Sequence, residues 1–196
     1  MISLLSIYRE LLQRIDWNLF GLAVVLFTMG VVVGPRIVAR NIRFLIAYPL
    51  WIYNCLEKIL RGRPRFFKLF VIIFCFNATS LFLSFLSGFT GVLPFLFAFL
   101  TGLNVSIITF KVAGRMGFAA IFLNPVALME LPAAWIALSL GMSLGLEILS
   151  PVMGLSISQF FMSLWWVYIL FVLPLLFLSG LLEAALITSM QKHDFD

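Results

Sequence analysis

The longest stretches of this chain contain no charged residue, and their lengths limit what it can fold into. Residues 69–110 form an uncharged run of 42 residues, and residues 148–182 form another of 35. A shorter run of 19 covers residues 17–35. Because about 20 apolar residues cross a bilayer as an α-helix, these runs predict membrane spans. The composition agrees, since 63% of the residues are hydrophobic and 11% are charged, against about 25% charged in soluble domains.

The breaks between spans are predicted from glycine and proline. The string "SGFTGVLP" divides the 42-residue run into two helices. Residues 116–146, whose one charged residue is Glu130, are longer than a single crossing needs, and so are residues 148–182. We therefore expect bends or half-helices at Asn124–Pro125 and at "LSPVMG".

Two segments mix apolar stripes with charge and are expected to lie along the membrane surface. Residues 1–16 place their apolar side chains on one helical stripe, which predicts an interfacial helix. Only ten residues separate Arg43 from Asn54, and Glu57 follows, so this part predicts an amphipathic helix rather than a sixth span. The expected fold is an all-α, polytopic transmembrane helical bundle with five spans, six being the alternative. Its parts are an interfacial helix (1–16), a first span (17–35), a basic amphipathic segment (36–68) and a four-helix core (69–190).

Basic residues indicate the orientation. Eight of the thirteen lie between residues 36 and 68, and loops rich in lysine and arginine face the cytoplasm. We therefore expect a multi-pass protein of the cell membrane with segment 36–68 and the C-terminus in the cytoplasm. In a chain of this kind the formal charge of +5 indicates contact with the lipid bilayer rather than with nucleic acid. Six arginines are expected to bind lipid headgroups: Arg36, Arg40, Arg43, Arg61, Arg63 and Arg65.

Five polar side chains fall inside the predicted spans: Asn77, Thr101, Asn104, Glu130 and Glu183. An acidic residue near the centre of a span costs about 3 kcal/mol unless a partner satisfies it. Three interpretations are open. The two glutamates fix helix packing, or they form a carboxylate pair that handles a proton or cation, or they contact another subunit or a partner protein. A packing contact between the helices of Glu130 and Glu183 is the main expectation, and an ion pathway is the second.

Two glycine pairs have the GxxxG spacing that lets helix backbones approach closely, namely Gly30 with Gly34 and Gly141 with Gly145. Packing within the chain is expected, with self-association as the alternative. Pro125, at the start of the helix that carries the second pair, is grouped with these packing positions. Three aromatic residues are expected to anchor the last span at the membrane interface: Trp165, Trp166 and Tyr168.

The inventory of reactive residues argues against catalysis. With Cys55, Cys75 and His193 as the only cysteines and histidine, no metal or cofactor is expected. The sequence contains no Gly-x-Ser-x-Gly or His-Glu-x-x-His motif, so no intramembrane enzyme is expected either.

The stretch "PVALMELPAAWIALSLGMSLG" resembles the signature of the stage II sporulation protein M family, roughly Pro-His-Gly-x-x-Glu-Leu-x-Ala before a helix of small residues. The matching residues are Pro125, Glu130, Leu131, Ala133, Gly141 and Gly145. Val126 and Ala127 stand where the family has its usual His and Gly. Two further blocks are similar: a hairpin in which Asn77 matches and the usual Asn-Gly is Thr101-Gly102, and a closing helix in which Glu183 matches.

The resemblance covers about residues 65–190 and implies a multi-helix membrane protein. In spore formers the family works with a cell-wall hydrolase and its anchor. The missing His and Gly favour a structural role for the motif that remains. We therefore expect a non-enzymatic structural or assembly component of a membrane complex, whose partners are other membrane proteins or further copies of itself. The alternative is a transporter or channel subunit with a polar pathway through Glu130, Glu183 and Asn77.

Overall fold

The computed structural model describes residues 4–120, 124–151 and 154–193. Within these residues the chain is helical and contains no strand, as the all-α prediction requires. A 3-10 helix (Ser87–Thr90) follows the fourth α-helix, and a π-helix (Tyr168–Val172) joins the seventh to the eighth. The α-helices are α1 (Leu4–Gln13), α2 (Trp17–Ala39), α3 (Arg43–Arg61), α4 (Phe66–Leu86), α5 (Leu93–Ala120), α6 (Ala127–Leu149), α7 (Ile157–Val167) and α8 (Leu173–His193).

Five segments of the described chain are long and apolar enough to cross a membrane: Trp17–Ala39, Phe66–Thr90, Leu93–Gly114, Ala127–Leu149 and Ile157–Gln191. The predicted polytopic bundle is therefore confirmed. The helix α3 is not among these segments, because four charged residues interrupt its 19 positions. The described part of the chain thus corresponds to the five-span version of a multi-pass membrane protein.

The helix α2 begins after a capping residue, Asp16, and continues past a proline, Pro35. The Asp16 carboxylate accepts hydrogen bonds from the backbone N–H groups of Asn18 (2.9 Å) and Leu19 (3.2 Å), which have no partner inside the helix. The helix then runs through Pro35 to Ala39, four residues beyond the expected end. In spans, the neighbouring helix packing lets a proline stay within the helix.

The breaks between the later spans lie where glycine, asparagine and proline predict them. The turn after α4 ends at Gly91, which has a φ of 80° that glycine adopts without strain. Before α6, the Asn124 side chain accepts the Val126 N–H at 3.0 Å, and Pro125 lies between them. Between α6 and α7 lies Gly154, with a φ of 63°. Residues 121–123 and 152–153, which belong to the expected bends, lie outside the described residues.

The bundle is organised around α6, whose residues are mostly buried, whereas a third or fewer of the residues in the other spans are buried. Its neighbours are α2, α4, α5 and α8. The longest interface joins α2 to α5, and α4 packs along α8. Two α-helices, α1 and α3, are not spans. The first contacts α7, and the second lies on α5, where Ile46 belongs to a shared apolar cluster. We call the end of the bundle where α2 ends and α4 begins the basic end, and the end at Ser87–Thr90 the far end.

The expected interfacial position of Tyr168 is wrong. This residue is 2% exposed, and its hydroxyl donates to the Ala78 carbonyl oxygen at 2.8 Å. Its ring stacks on Phe85 and Trp165. Because the hydroxyl has an acceptor inside the bundle, the whole side chain is satisfied there. Of the three aromatic residues, Trp166 is the one that stays half exposed.

Candidate functional site

Two of the five polar side chains predicted in the spans, Asn77 and Glu130, are hydrogen-bonded to each other. The Asn77 side-chain amide, on α4, donates a hydrogen bond to the Glu130 carboxyl at 2.7 Å. Glu130 lies in the first turn of α6, whose backbone N–H groups at Leu128, Met129 and Glu130 donate to the carbonyl oxygens of Asn124 and Val126. The positive end of a helix dipole stabilises a carboxylate at this position. Glu130 is therefore held by one strong donor on a neighbouring helix and by the start of its own helix.

The third helix at this point is α8. The buried Ser179 hydroxyl lies beside the Glu130 carboxyl while donating to the Leu176 carbonyl oxygen at 3.0 Å. Glu183 follows one turn later on the same face of α8, because residues four apart are neighbours on a helix. Its carboxyl is close enough to that of Glu130 for the two to interact electrostatically. The structure thus brings Glu130 and Glu183 together, with Asn77 as the direct hydrogen-bond partner of Glu130.

A cavity of about 660 Å³ opens beside this cluster. It lies between α4 and α5, which diverge from the short turn that joins them and contact each other at few residues. Four of the predicted polar residues line it: Asn77, Thr101, Asn104 and Glu130. Glu183 does not. On the remaining wall, apolar residues of α2, α4, α5, α6 and α8 predominate, and Tyr48 and Ile52 of α3 contribute to it as well.

The polar side chains in the cavity differ in how far the protein satisfies them. The Thr101 hydroxyl donates to the Phe97 carbonyl oxygen at 2.7 Å, within its own helix. Asn77 donates one of its two amide hydrogens to Glu130. Among the described residues, the Asn104 side chain has no hydrogen-bond partner. The Asn104 amide is therefore available to a group from outside the chain.

The first predicted glycine pair packs α2 against α5. A side chain at Gly30 would collide with the Phe99 carbonyl oxygen, and one at Gly34 would collide with the Ser106 hydroxyl. That hydroxyl donates to the Val31 carbonyl oxygen at 2.8 Å and links the two helices. This pair is therefore used inside the chain.

The second predicted glycine pair packs α6 against the far end of α4. Gly141 lies against the Ser84 carbonyl oxygen, 2.9 Å from where a Cβ would stand, and Gly145 lies against Gly91. Both glycine pairs therefore meet helices of the same chain. Pro125 precedes the first turn of α6 and is exposed.

The six arginines expected at lipid headgroups are all exposed: Arg36, Arg40, Arg43, Arg61, Arg63 and Arg65. They lie in or beside α2, α3 and the start of α4, at the basic end. Arg61 forms an ion pair with Glu57 at 2.9 Å. This hydrogen bond and the attraction of the carboxylate raise the pKa of Arg61. All six residues are therefore exposed at one end of the bundle, and their contact with lipid headgroups stays a prediction.

Several residues that hold the site together were not predicted. Gly102 lies against the Phe27 carbonyl oxygen, and Ser106 and Ser179 are fully buried. Glu147, near the far end of α6, is only 6% exposed. Sequence signals existed for the small residues, since Gly102 and Ser106 repeat the four-residue spacing of close helix packing. For Glu147, the sequence shows an acid at the edge of a span and nothing about its burial.

The fold and this cluster define a class: a multi-pass α-helical membrane protein with polar residues and a lateral cavity inside the bundle, and no soluble domain among the described residues. Within those residues, no group of three or more His, Cys, Asp or Glu side chains could hold a metal ion. The model of the family "Stage II sporulation protein M" matches residues 23–188. The chain belongs to this family, and the resemblance drawn from its motifs is confirmed. No curated protein and no solved structure matches it.

Proposed function

We propose that the chain is a non-enzymatic structural or assembly component of a complex in the cell membrane. The observation that supports this best is the hydrogen bond from Asn77 to Glu130 (2.7 Å). It joins α6 to α4 through an acidic side chain inside a span. Polar residues that join transmembrane helices in this way contribute about 1 kcal/mol each. Family membership adds a membrane setting, and the Asn104 amide adds a polar group available to a partner.

The partners in this proposal are other membrane proteins or a second copy of the chain, with the basic end in the cytoplasm. Two neighbours in the cavity, Asn77 and Asn104, place amides where a partner's transmembrane helix could hydrogen-bond to them. Purification in a mild detergent, followed by mass spectrometry of the proteins that accompany the chain, identifies such partners. A chain that is recovered alone and monomeric under every mild condition contradicts the proposal.

The role of Glu130 is tested by two substitutions that differ in one respect. Glu130→Gln keeps an oxygen that can accept from Asn77 but cannot carry a charge, whereas Glu130→Leu loses the acceptor as well. A structural role predicts that Gln keeps the stability and the partners of the native protein, and that Leu loses about 1 kcal/mol. Equilibrium unfolding in bicelles and recovery of partners measure the two effects. If Gln is as damaging as Leu, the hydrogen bond is not what Glu130 supplies.

One observation favours a second candidate, a transporter or channel subunit. Glu130, Asn77, Thr101 and Asn104 line the same cavity, and Glu183 lies next to Glu130. Intramembrane acids in such surroundings mark proton and cation pathways in many transporters. Replacing both glutamates with Gln should then abolish proton or cation flux into proteoliposomes, while assembly stays intact. The structural proposal predicts no flux in either protein.

A further inference from the structure

The cavity between α4 and α5 has the size and the wall of a small-molecule site. Its volume of about 660 Å³ lies within the roughly 300–1,000 Å³ of ligand pockets. Such pockets combine apolar walls with a few convergent polar groups, and this one has Asn77, Asn104 and Glu130. Its rim includes Leu83, which is 57% exposed on a span and so faces hydrocarbon. A molecule that enters beside Leu83 enters from the bilayer.

The polar groups of the cavity lie at one depth. Asn77 is ten residues before the turn at Ser87, and Asn104 is eleven residues after the start of α5 at Leu93. At a rise of 1.5 Å per residue, both lie about 15 Å from the far end. Glu130 is hydrogen-bonded to Asn77 and shares this depth. From there toward the far end the wall is mainly apolar, with residues such as Leu81, Phe97 and Leu100, and the Ser84 hydroxyl on this wall donates to the Ser80 carbonyl oxygen of its own helix. A ligand would therefore need one polar group and one apolar chain.

The charges around the cavity determine which kind of ligand headgroup can bind there. Among the described residues that line it, Glu130 is the one acidic side chain, and no lysine or arginine lines it. Glu183 adds a second carboxyl next to Glu130. The Asn104 amide oxygen is available as a further acceptor, since this side chain has no partner within the described residues. Acceptors and negative charge together favour a ligand that donates hydrogen bonds and disfavour an anion.

We propose that this cavity binds a single-chain amphiphile from the bilayer whose headgroup is a hydrogen-bond donor, a primary amine binding best, with the headgroup on Glu130 and Asn104. The proposal does not rest on the assembly role, and it differs from that role on one point, since the amphiphile rather than a partner's helix occupies the cavity. An amine forms a charge-assisted hydrogen bond with the carboxylate, whereas an alcohol forms a neutral one. A charge-assisted bond is about twice as strong, which makes an amine bind roughly tenfold more tightly than an alcohol of the same chain.

The test uses three probes that differ only in their headgroups: radiolabelled hexadecylamine, hexadecanol and palmitate. Each is titrated against the purified full chain in nanodiscs of phosphatidylcholine. We expect the amine to bind about tenfold more tightly than the alcohol, and palmitate not to bind above the background of protein-free nanodiscs. Palmitate binding as tightly as the amine overturns the proposal without reference to any variant.

Two variants and a control locate the site. Ser80→Phe places a ring in the cavity from an exposed position of α4, and its neighbour Thr79→Phe adds the same ring outside the cavity. We expect Ser80→Phe to abolish amine binding and Thr79→Phe to leave it unchanged. Glu130→Gln should lower the affinity for the amine to that for the alcohol, a loss of about tenfold, with alcohol binding retained.

Three results of these variants overturn the proposal. The first is equal amine binding by the Ser80 and Thr79 variants, and the second is unchanged amine binding in Glu130→Gln. The third is capture of a partner protein that Ser80→Phe abolishes and hexadecylamine does not displace, because the cavity then holds a partner's helix. Alcohol binding by Glu130→Gln also shows that this variant is folded.

Discussion

Replacing Gly102 by alanine adds one carbon atom to the interface between α2 and α5 and so tests how closely these two helices pack. Gly102 is buried in α5 against the backbone of Phe27 in α2. A Cβ at this position would overlap the Phe27 carbonyl oxygen and stand 3.0 Å from its Cα. These are backbone atoms, which cannot turn aside as a flexible side chain can. The two helices would therefore have to separate along their contact.

The magnitude follows from two opposing effects. Forcing an extra carbon into a well-packed interior costs about 1–3 kcal/mol, and the upper end applies where backbone must move. Alanine in place of glycine within a helix returns about 1 kcal/mol of intrinsic helix stability. The net expectation for Gly102→Ala is a loss of about 2 kcal/mol. Gly21→Ala in α2 is the matched control, because nothing lies within 4 Å of the added carbon. It should gain up to about 1 kcal/mol.

Equilibrium unfolding in bicelles, with tryptophan fluorescence as the readout, measures both variants against the native chain. A loss of about 2 kcal/mol changes the ratio of folded to unfolded protein by roughly 30-fold, well above experimental scatter. If Gly102→Ala and Gly21→Ala are equally stable, the close approach of α2 and α5 does not exist. That result would refute the packing argument for Gly30 and Gly34 as well, since they lie along the same interface.

Three further predictions test other parts of the fold. Tyr168→Phe should lose about 1 kcal/mol of unfolding free energy, because the hydroxyl no longer reaches the Ala78 carbonyl oxygen. Asp16→Ala should lose about 1 kcal/mol through the missing cap of α2, and Asp16→Ser should retain most of it. Cys55 of α3 should react with a membrane-impermeant maleimide only when the cytoplasmic side is accessible, and labelling of Cys55 in intact cells would contradict the proposed orientation. Cys75, exposed within the span α4, should not react from either side.

The spans could be predicted because the physical signals are local. The uncharged run of residues 69–110 had to cross twice, and its glycines placed the turn at residues 87–91. Charges kept α3 out of the set of spans. In both cases the cost of placing a charge, or an unpaired backbone group, in hydrocarbon decides the outcome, and that cost is visible in the sequence.

The partners of the polar residues could not be predicted in the same way. Glu130 was expected to contact the helix of Glu183 and does lie next to it, but its hydrogen bond comes from Asn77 on α4, which the sequence did not predict. A single sequence shows which residues need partners, but not how each helix is rotated about its axis. Tyr168 illustrates the same limit, since its burial depends on an acceptor at Ala78 that no local pattern reveals.

The contact between Gly88 and Gly141 sets the register of α4 against α6, and this register places Asn77 beside Glu130. Gly88 lies against the Gly141 carbonyl oxygen, where α4 and α6 run in the same direction. Gly88 follows Asn77 by eleven residues, and Gly141 follows Glu130 by eleven residues. Contact at the two glycines therefore places Asn77 and Glu130 opposite each other, about 16 Å away along the helices. A side chain at Gly141 would change the separation and register of the helices, and with them the hydrogen bond. Glu130 and Gly141, two residues of the motif, thus both lie against α4, and neither contact involves the side chain of Val126.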